Sequence, residues 1–297
     1  MTRSPSAVLR HRITSGGSPL LLAGAPNALT ARVAEEIGFQ AVYLSGAGIT
    51  NTFLGAPDVG LLSLPELATH VAATRDAVEL PLVVDADTGF GNAMNVQRSV
   101  RTLERAGANG IQLEDQVAPK RCGHFIGKAV ITTSEMVGKI HAAVDARVQD
   151  ELVIIARTDA RAIEGMDAAC DRANAYLEAG ADVIFVEAPR TREELAEIPR
   201  RIRAPHLANM VEGGMTPILP LDDLAEMGFA IALYANTAMR AAVTGMRSAL
   251  KHLLAQGDTI DISDQIITWA DRQQLVRKPM FDALDEKYAG TEGAGYV

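Results

Sequence analysis

The chain has 297 residues, with 28 Lys and Arg against 37 Asp and Glu, for a formal net charge of −9. That balance does not supply the clustered basic surface that phosphate backbones require, so nucleic acid is not an expected partner. Hydrophobic residues at 48% and charged residues at 22% describe an ordinary folded chain, and with aromatics at only 4% its core must be built from Ala, Val, Leu and Ile.

The chain opens on polar sequence containing Arg10, His11 and Arg12, with no apolar segment of the secretory kind. Its apolar runs, such as residues 20–25 and 183–186, are too short to cross a bilayer, so no membrane partner is expected. The only cysteines, Cys122 and Cys170, read as reduced thiols of a cytoplasmic protein.

Apolar runs with the look of strands fall at residues 20–24, 41–45, 81–85, 110–113, 152–156, 182–186, 206–209 and 230–234. They are continuous rather than alternating, which suits parallel strands covered on both faces. Between them lie helical segments with readable ends. Ser63 caps a helix that starts at Leu64 with Pro65 in its first turn, and Thr133 or Ser134 followed by Glu135 opens another that ends near Ala146. Gly38, Gly107, Gly180 and Gly228 each stand where a helix should stop and the next strand begin.

About eight βα units result, the number that closes a parallel sheet into a (β/α)8 barrel of the TIM type. An open doubly wound sheet would show a Gly-x-Gly-x-x-Gly turn after its first strand, and Gly24-Ala25-Pro26-Asn27 is not one. We expect a single barrel domain over 1–297, with the barrel at about 18–255 and a helical extension at 256–297. Helices at 236–255 and 263–275 exceed what one closing helix needs, so the extra C-terminal helix is expected to pack on a neighbouring subunit.

The reactive face of such a barrel lies at the C-terminal ends of its strands. The polar residues found there are Ser45, then Asp85 and Asp87, Glu114 and Asp115, Arg157 and Asp159, Glu187, and Asn209 with Glu212. In Asp85-Ala86-Asp87-Thr88-Gly89-Phe90-Gly91, alternate positions of an extended segment would aim both carboxylates at one point. Two close carboxylates repel unless a cation separates them, and hard oxygen donors select Mg²⁺ or Mn²⁺ over zinc. Glu114 and Asp58 could hold its waters. Cys122 lies among Lys120, Arg121 and His124 in the long connection after the fourth strand, where cationic neighbours favour the thiolate and glycines would let the loop act as a lid. Arg157 has the fork of a carboxylate clamp, a role that can coexist with an ion pair to Asp159 or Glu187. Cys170 reads as an inert core thiol and His206 as structural.

Taken together, the segments 85–91, Gln112-Leu113-Glu114-Asp115-Gln116 and Lys120-Arg121-Cys122-Gly123-His124 resemble the isocitrate lyase/phosphoenolpyruvate mutase superfamily over about residues 20–240, and the last of them its 2-methylisocitrate lyase/2,3-dimethylmalate lyase branch. The resemblance implies a Mg²⁺-dependent carbon–carbon lyase that cleaves a 2-hydroxy di- or tricarboxylate to pyruvate or glyoxylate plus a second carboxylate. A carboxyphosphonoenolpyruvate phosphonomutase and an oxaloacetate hydrolase or decarboxylase are the alternatives. It further implies metal at Asp85 and Asp87, with Asp58 and Glu114 acting through water, and a keto acid held by Tyr43, Ser45, Gly46, Ala47 and Asp85. Arg157, Glu187 and Asn209 would contact substrate, and Cys122 would be the acid supported by Lys120 and His124. A homotetramer is implied, a dimer of helix-swapped dimers. Arg272 corresponds to a third carboxylate anchor of the methylisocitrate enzymes, whereas Val211-Glu212-Gly213-Gly214 resembles the dimethylmalate lyase and phosphonomutase side.

Overall fold

In the computed structural model, residues 3–121, 123 and 127–289 are described. They form two compact units, Met1–Met239 and Arg240–Val297.

The first unit contains eight parallel strands: β1 (Leu20–Gly24), β2 (Val42–Leu44), β3 (Leu82–Asp85), β4 (Gly110–Glu114), β5 (Val153–Thr158), β6 (Val183–Val186), β7 (Leu207–Asn209) and β8 (Ile231–Tyr234). Sequential strands pair from β1 through β6, β7 pairs with β8, and β8 pairs back to β1. A parallel bridge from Ile184 to His206 links β6 to the residue that opens β7, so the sheet closes. This is a (β/α)8 barrel of the TIM type.

The strand connections carry α2 (Ala28–Ile37), α3 (Gly46–Ile49), α4 (Leu64–Ala77), α5 (Ala93–Arg105), α6 (Thr133–Ala146), α7 (Met166–Glu178), α8 (Arg192–Arg201) and α9 (Leu221–Met227). Gly38 and Gly228 end α2 and α9 in the left-handed conformation that a side chain would strain. Ser63 and Glu66 form a capping box on α4. The cap of α6 is Thr132, one residue before the expected Thr133 or Ser134. α3 runs into a π-helical turn, Thr50–Leu54.

Alternation within the strands sorts the core into two layers. Leu22, Tyr43, Val83, Ile155, Phe185, Leu207 and Leu233 fill the barrel interior, while Val84, Ile111, Leu113, Ile154 and Ile184 face the helices. An element absent from the sequence-based expectations, α1 (Pro5–Thr14), adds Leu9 and Ile13 to the interior cluster. Ser4 caps this helix, Arg10 pairs with Asp182 at 2.8 Å, and Asn109 donates to Ser6 Oγ at 3.0 Å. These contacts close the N-terminal end of the barrel and leave the other end for chemistry.

Gly24, at the end of β1, lies so close to the Ala235 carbonyl that an added Cβ would overlap backbone. Because neither segment can yield as a flexible side chain would, Gly24→Ala is expected to destabilise the protein by about 3 kcal/mol, the upper range for overpacking. Urea unfolding measures this, and an unchanged midpoint would refute the reading.

The second unit holds most of α10 (Thr237–Gln256), a 3₁₀ turn at Ile260–Gln265, α11 (Trp269–Leu275) and α12 (Lys278–Tyr288). The expected single helix at 263–275 is thus two pieces, and α11 starts only after its Thr268 cap. Among the described residues, no helix is long and apolar enough to cross a membrane.

Candidate active site

Five of the inward-facing rows of the barrel interior end on a charged or amide side chain at the C-terminal end. Val83 is followed two residues later by Asp85, Gln112 by Glu114, Ile155 by Arg157, Phe185 by Glu187 and Leu207 by Asn209. Strand alternation therefore collects these side chains into the last layer of the barrel. Above them is a cavity of about 80 Å³, lined among others by Ser45, Asp58, Asp85, Lys120, Arg157 and Asn209. At about 10–15 Å³ per water-sized probe, it has room for several waters or one small carboxylic acid.

Asp85 is held by three donors. The Gly46 amide reaches Oδ2 at 3.3 Å, while the Asp87 amide at 3.1 Å and Gln112 Nε2 at 3.2 Å reach Oδ1. Asp87 turns toward the same place through a left-handed backbone, φ 49°, and not through the extended alternation expected from the sequence. Phe90 in the same loop and Ala188 after β6 also have positive φ. Such strain recurs where function fixes geometry. The 88–91 turn is anchored from below: Lys139 donates to the Thr88 carbonyl at 3.1 Å and Ser99 to that of Gly89 at 3.0 Å. Gly46 sits against both carboxylates, and a Cβ there would stand 3.1 Å from Asp87 Oδ1 and 3.5 Å from Asp85 Oδ2.

Lys120 Nζ lies between Asp58 at 2.6 Å and Asp87 at 2.7 Å. Burial raises the Asp87 carboxyl, the Lys120 charge opposes this and Asp85 adds to it, leaving Asp87 at about 7. Among the described residues, Oδ1 of Asp87 has only the Lys120 ion contact and no well-formed hydrogen bond, and Oε1 of Glu114 has no hydrogen-bond partner. Among the described residues, no three Asp, Glu, His or Cys side chains converge as a ready ligand cage. Magnesium does not need one, because it commonly takes one or two carboxylates and keeps its waters. Oxygen-only donors with buried orphan acceptors fit that ion.

On the facing side, Arg157 gives its fork to Asp159, Nε to Oδ2 at 2.9 Å and Nη2 to Oδ1 at 3.1 Å. Its Nη1 faces Glu114 Oε2 and Glu187 Oε2, each at 3.4 Å, and its guanidinium lies over the Phe185 ring at 5.2 Å. The ion-pair role is therefore realised, and the edge facing Glu114 and Glu187 is what remains for a ligand. Burial pushes the Glu114 carboxyl well up, against the lowering by Arg157 and Lys120. Burial raises Asp159 too, but the Arg157 and Lys128 charges outweigh it and leave that carboxyl lowered. Asn209 donates to Glu187 at 3.3 Å, and among the described residues its buried Oδ1 has no hydrogen-bond partner, nor has Oδ1 of Asn236 on the cavity wall.

The structure thus brings Tyr43, Ser45, Ala47, Asp58, Asp85, Lys120, Arg157, Glu187 and Asn209 to one cavity, with Gly46, Asp87 and Glu114 packed against it. Ser45 also caps α3, accepting from Gly48 N at 3.3 Å. Cys122 and His124 lie outside the described residues. Arg272 lies in α11 of the second unit. Cys170 is buried, and burial raises its thiol. His206 is likewise buried, with Nε2 2.9 Å from the Ile202 carbonyl.

Sequence reasoning passed over Gln112, which accepts from Tyr43 Oη at 2.7 Å and donates to Asp85. Its signal was an amide two residues before Glu114 in an otherwise apolar strand. Gln112→Met leaves Tyr43 unpaired and Asp85 one donor short, so with Asp85 in its expected role as a magnesium ligand the change should weaken magnesium binding and turnover by about 10–100-fold, as loss of an outer partner of a metal ligand does. Calorimetric titration checks this, and wild-type affinity would count against it.

A closed βα barrel whose top layer is acidic, with paired cations across a small cavity, defines a barrel enzyme acting on small anions. The phosphoenolpyruvate phosphomutase family model matches residues 9–254. A 2-methylisocitrate lyase from Aeropyrum pernix is 46% identical over 272 residues, 92% of this chain and 87% of that protein. A 2,3-dimethylmalate lyase from Eubacterium barkeri is 42% identical over 284 residues, 96% and 98% of the two chains. A crystal structure of 2,3-dimethylmalate lyase superposes with TM-score 0.92 at 32% identity, covering 100% of this chain and 99% of that one. A phosphonopyruvate hydrolase solved with oxalate and Mg²⁺ has TM-score 0.87 at 29% identity, covering 96% and 99%. The chain belongs to the phosphoenolpyruvate phosphomutase family of the isocitrate lyase superfamily, and it is a carbon–carbon lyase of the branch that holds the methylisocitrate and dimethylmalate lyases.

Proposed function

We propose that the enzyme cleaves a 2-alkyl-substituted malate or a related 2-hydroxy tricarboxylate, releasing pyruvate or glyoxylate and a second carboxylate, with Mg²⁺ at Asp85 and Asp87. The observation that carries this is that Asp58 and Asp85 line the same small cavity as Arg157, so that a metal-binding carboxylate and a guanidinium meet one ligand there. Asp58 and Glu114 would hold the ion's waters. Bound there, Mg²⁺ would supply the positive charge that a 2-oxy-carboxylate needs as its carbon–carbon bond breaks.

The chain's own residues do the rest. The Gly46 amide and Ser45 orient the keto-acid end beside Asp85, and Gly46 keeps open the space a Cβ would fill. Arg157 Nη1 faces the departing fragment and opposes its developing negative charge. A cavity carboxylate such as Asp58 takes the C2 hydroxyl proton as the carbon–carbon bond breaks, and Cys122 gives the departing carbon its proton, with Lys120 and His124 in support. Arg121 and Gly123, which flank the cysteine in sequence, both line the cavity. A cytoplasmic setting suits a reduced thiol in that role.

Pyruvate release coupled to lactate dehydrogenase, over a panel of 2-alkylmalates with Mg²⁺, is the test. Turnover that EDTA abolishes and Cys122→Ser removes is the expected result. Silence across the panel, with phosphorus NMR showing P–C bond transfer on a phosphonate, would replace this reading with the mutase. The assembly belongs to the same proposal. On α10, Met246, Leu250, Leu253 and Leu254 are exposed at a spacing that makes one apolar stripe, which a second copy would cover in a helix-swapped homotetramer. Light scattering at the monomer mass would exclude it.

A further inference from the structure

Asp159 is the most enclosed charge of the site, with no exposed side-chain surface, and it answers to two cations rather than one. Arg157 takes both of its oxygens. Lys128 Nζ reaches Oδ1 at 2.7 Å and also donates to the Gly123 carbonyl. Although it stands in a connecting loop, the Lys128 side chain is only 3% exposed. Burying an ammonium is unfavourable unless it is paired and hydrogen-bonded, and here it is both.

The charge balance gives this pairing a consequence for ligands. Arg157 faces three carboxylates, Asp159, Glu114 and Glu187. With Arg157 as their only cation the three carboxylates would be in excess by two charges, and Lys128, by sharing Asp159, reduces that excess to one and frees part of the guanidinium charge. The 3.4 Å separations at Nη1 are longer than the 2.7–2.9 Å usual for charge-assisted hydrogen bonds, so a ligand carboxylate can improve on them. Gly123 packs against Arg157 Nη2 and Glu187 with no space for a Cβ, so the Lys128 bond to its carbonyl also fixes backbone beside the clamp.

We propose that Lys128 is a positioning residue of the anion clamp: by sharing Asp159 and fastening Gly123, it keeps the Nη1 edge of Arg157 electropositive and correctly placed for a substrate carboxylate. This rests on the reading above that Arg157 meets such a carboxylate.

The test uses the full-length chain with Mg²⁺ and the variants Lys128→Met, Lys128→Gln and Lys128→Arg. Succinate probes the clamp and pyruvate probes the metal side, both by calorimetry, alongside KM and kcat for the best malate of the panel and the thermal midpoint. Lys128→Met and Lys128→Gln should weaken succinate and raise KM about tenfold, with pyruvate affinity and kcat within about threefold of wild type. Lys128→Arg should restore both losses. The glutamine variant matters because it keeps a donor while removing charge. Wild-type succinate affinity in it, equal weakening of both probes with no rescue by arginine, or no succinate binding to the wild type would each overturn the proposal. Absence of lyase turnover alone would refute the proposed reaction and leave the calorimetry to decide the role of Lys128.

Discussion

Replacing Asp85 by asparagine is expected to lower kcat/KM by about three orders of magnitude, the upper range for losing one electrostatic group aimed at developing charge. The substitution conserves shape, yet the local donors make it unfavourable. Asp85 receives two N–H groups on Oδ1 and one on Oδ2. An asparagine oxygen can keep the first pair, but its NH₂ would then face the Gly46 N–H, donor against donor. Leaving that buried amide unpaired costs about 1–3 kcal/mol. The lost carboxylate also removes half of the pair proposed to hold magnesium. Proton linkage supplies an independent check. Wild-type Asp87 sits near 7, so it takes up a proton as the pH falls through that value. Magnesium should then bind about tenfold more weakly for each further pH unit. In Asp85→Asn the neighbouring charge that helps raise Asp87 is gone, so the fall should begin at lower pH. Calorimetric magnesium titrations between pH 5.5 and pH 8, values chosen to bracket about 7, would show the shift. A variant with undiminished magnesium affinity would remove Asp85 from the metal site.

Much of this architecture was legible before any coordinates. A strand that is apolar up to its end, then a polar residue, then a helix closed by glycine, is a local pattern, and repeating it about eight times leaves few folds. The top layer was legible for the same reason: Asp85, Glu114, Arg157, Glu187 and Asn209 each occupy the next inward position of an apolar row. What escaped depends on contacts between distant segments. The pairing of Lys128 with Asp159 spans 31 residues. Lys120 read as a support for the cysteine, and its ion pairs with Asp58 and Asp87 were not foreseen. α1 was missed because only Ser6, Leu9 and Ile13 of its ten residues are buried, amid His and Arg that read as loop. The approach of Asp85 and Asp87 was anticipated for the wrong backbone reason, since a left-handed turn and not an extended strand produces it. Periodicity reports which way a side chain faces, and not what waits for it there.

Arg157→Met is the other large effect, and it should appear in stability as much as in turnover. The methionine fills similar space over Phe185 but leaves Asp159 with Lys128 alone of its two cations, and Glu114 without the guanidinium that chiefly lowers it. Removing one partner of a buried ion pair typically costs about 3–5 kcal/mol. The pH dependence should reverse with it. In the wild type, Asp159 is lowered from its ordinary 3.8, so its contribution is present above that value and is lost as the pH falls through the lowered one. Without Arg157, only Lys128 still opposes the burial of Asp159, and Glu114, which burial already raises, is held further above its unfolded value. The folded protein then binds more protons than the unfolded chain, and stability falls as the pH rises above about 4–5. Arg157→Met should therefore be closest to wild type in acid and furthest from it near pH 8, a value well above the ordinary carboxyl range of about 4. Arg157→Lys keeps one charge but loses the fork, so it should regain most of the stability and little of the substrate affinity. Urea unfolding across that range, with KM measured on the same preparations, separates the two roles. A methionine variant whose deficit is the same at every pH would show that Arg157 does not hold the charges of Glu114, Glu187 and Asp159 in balance.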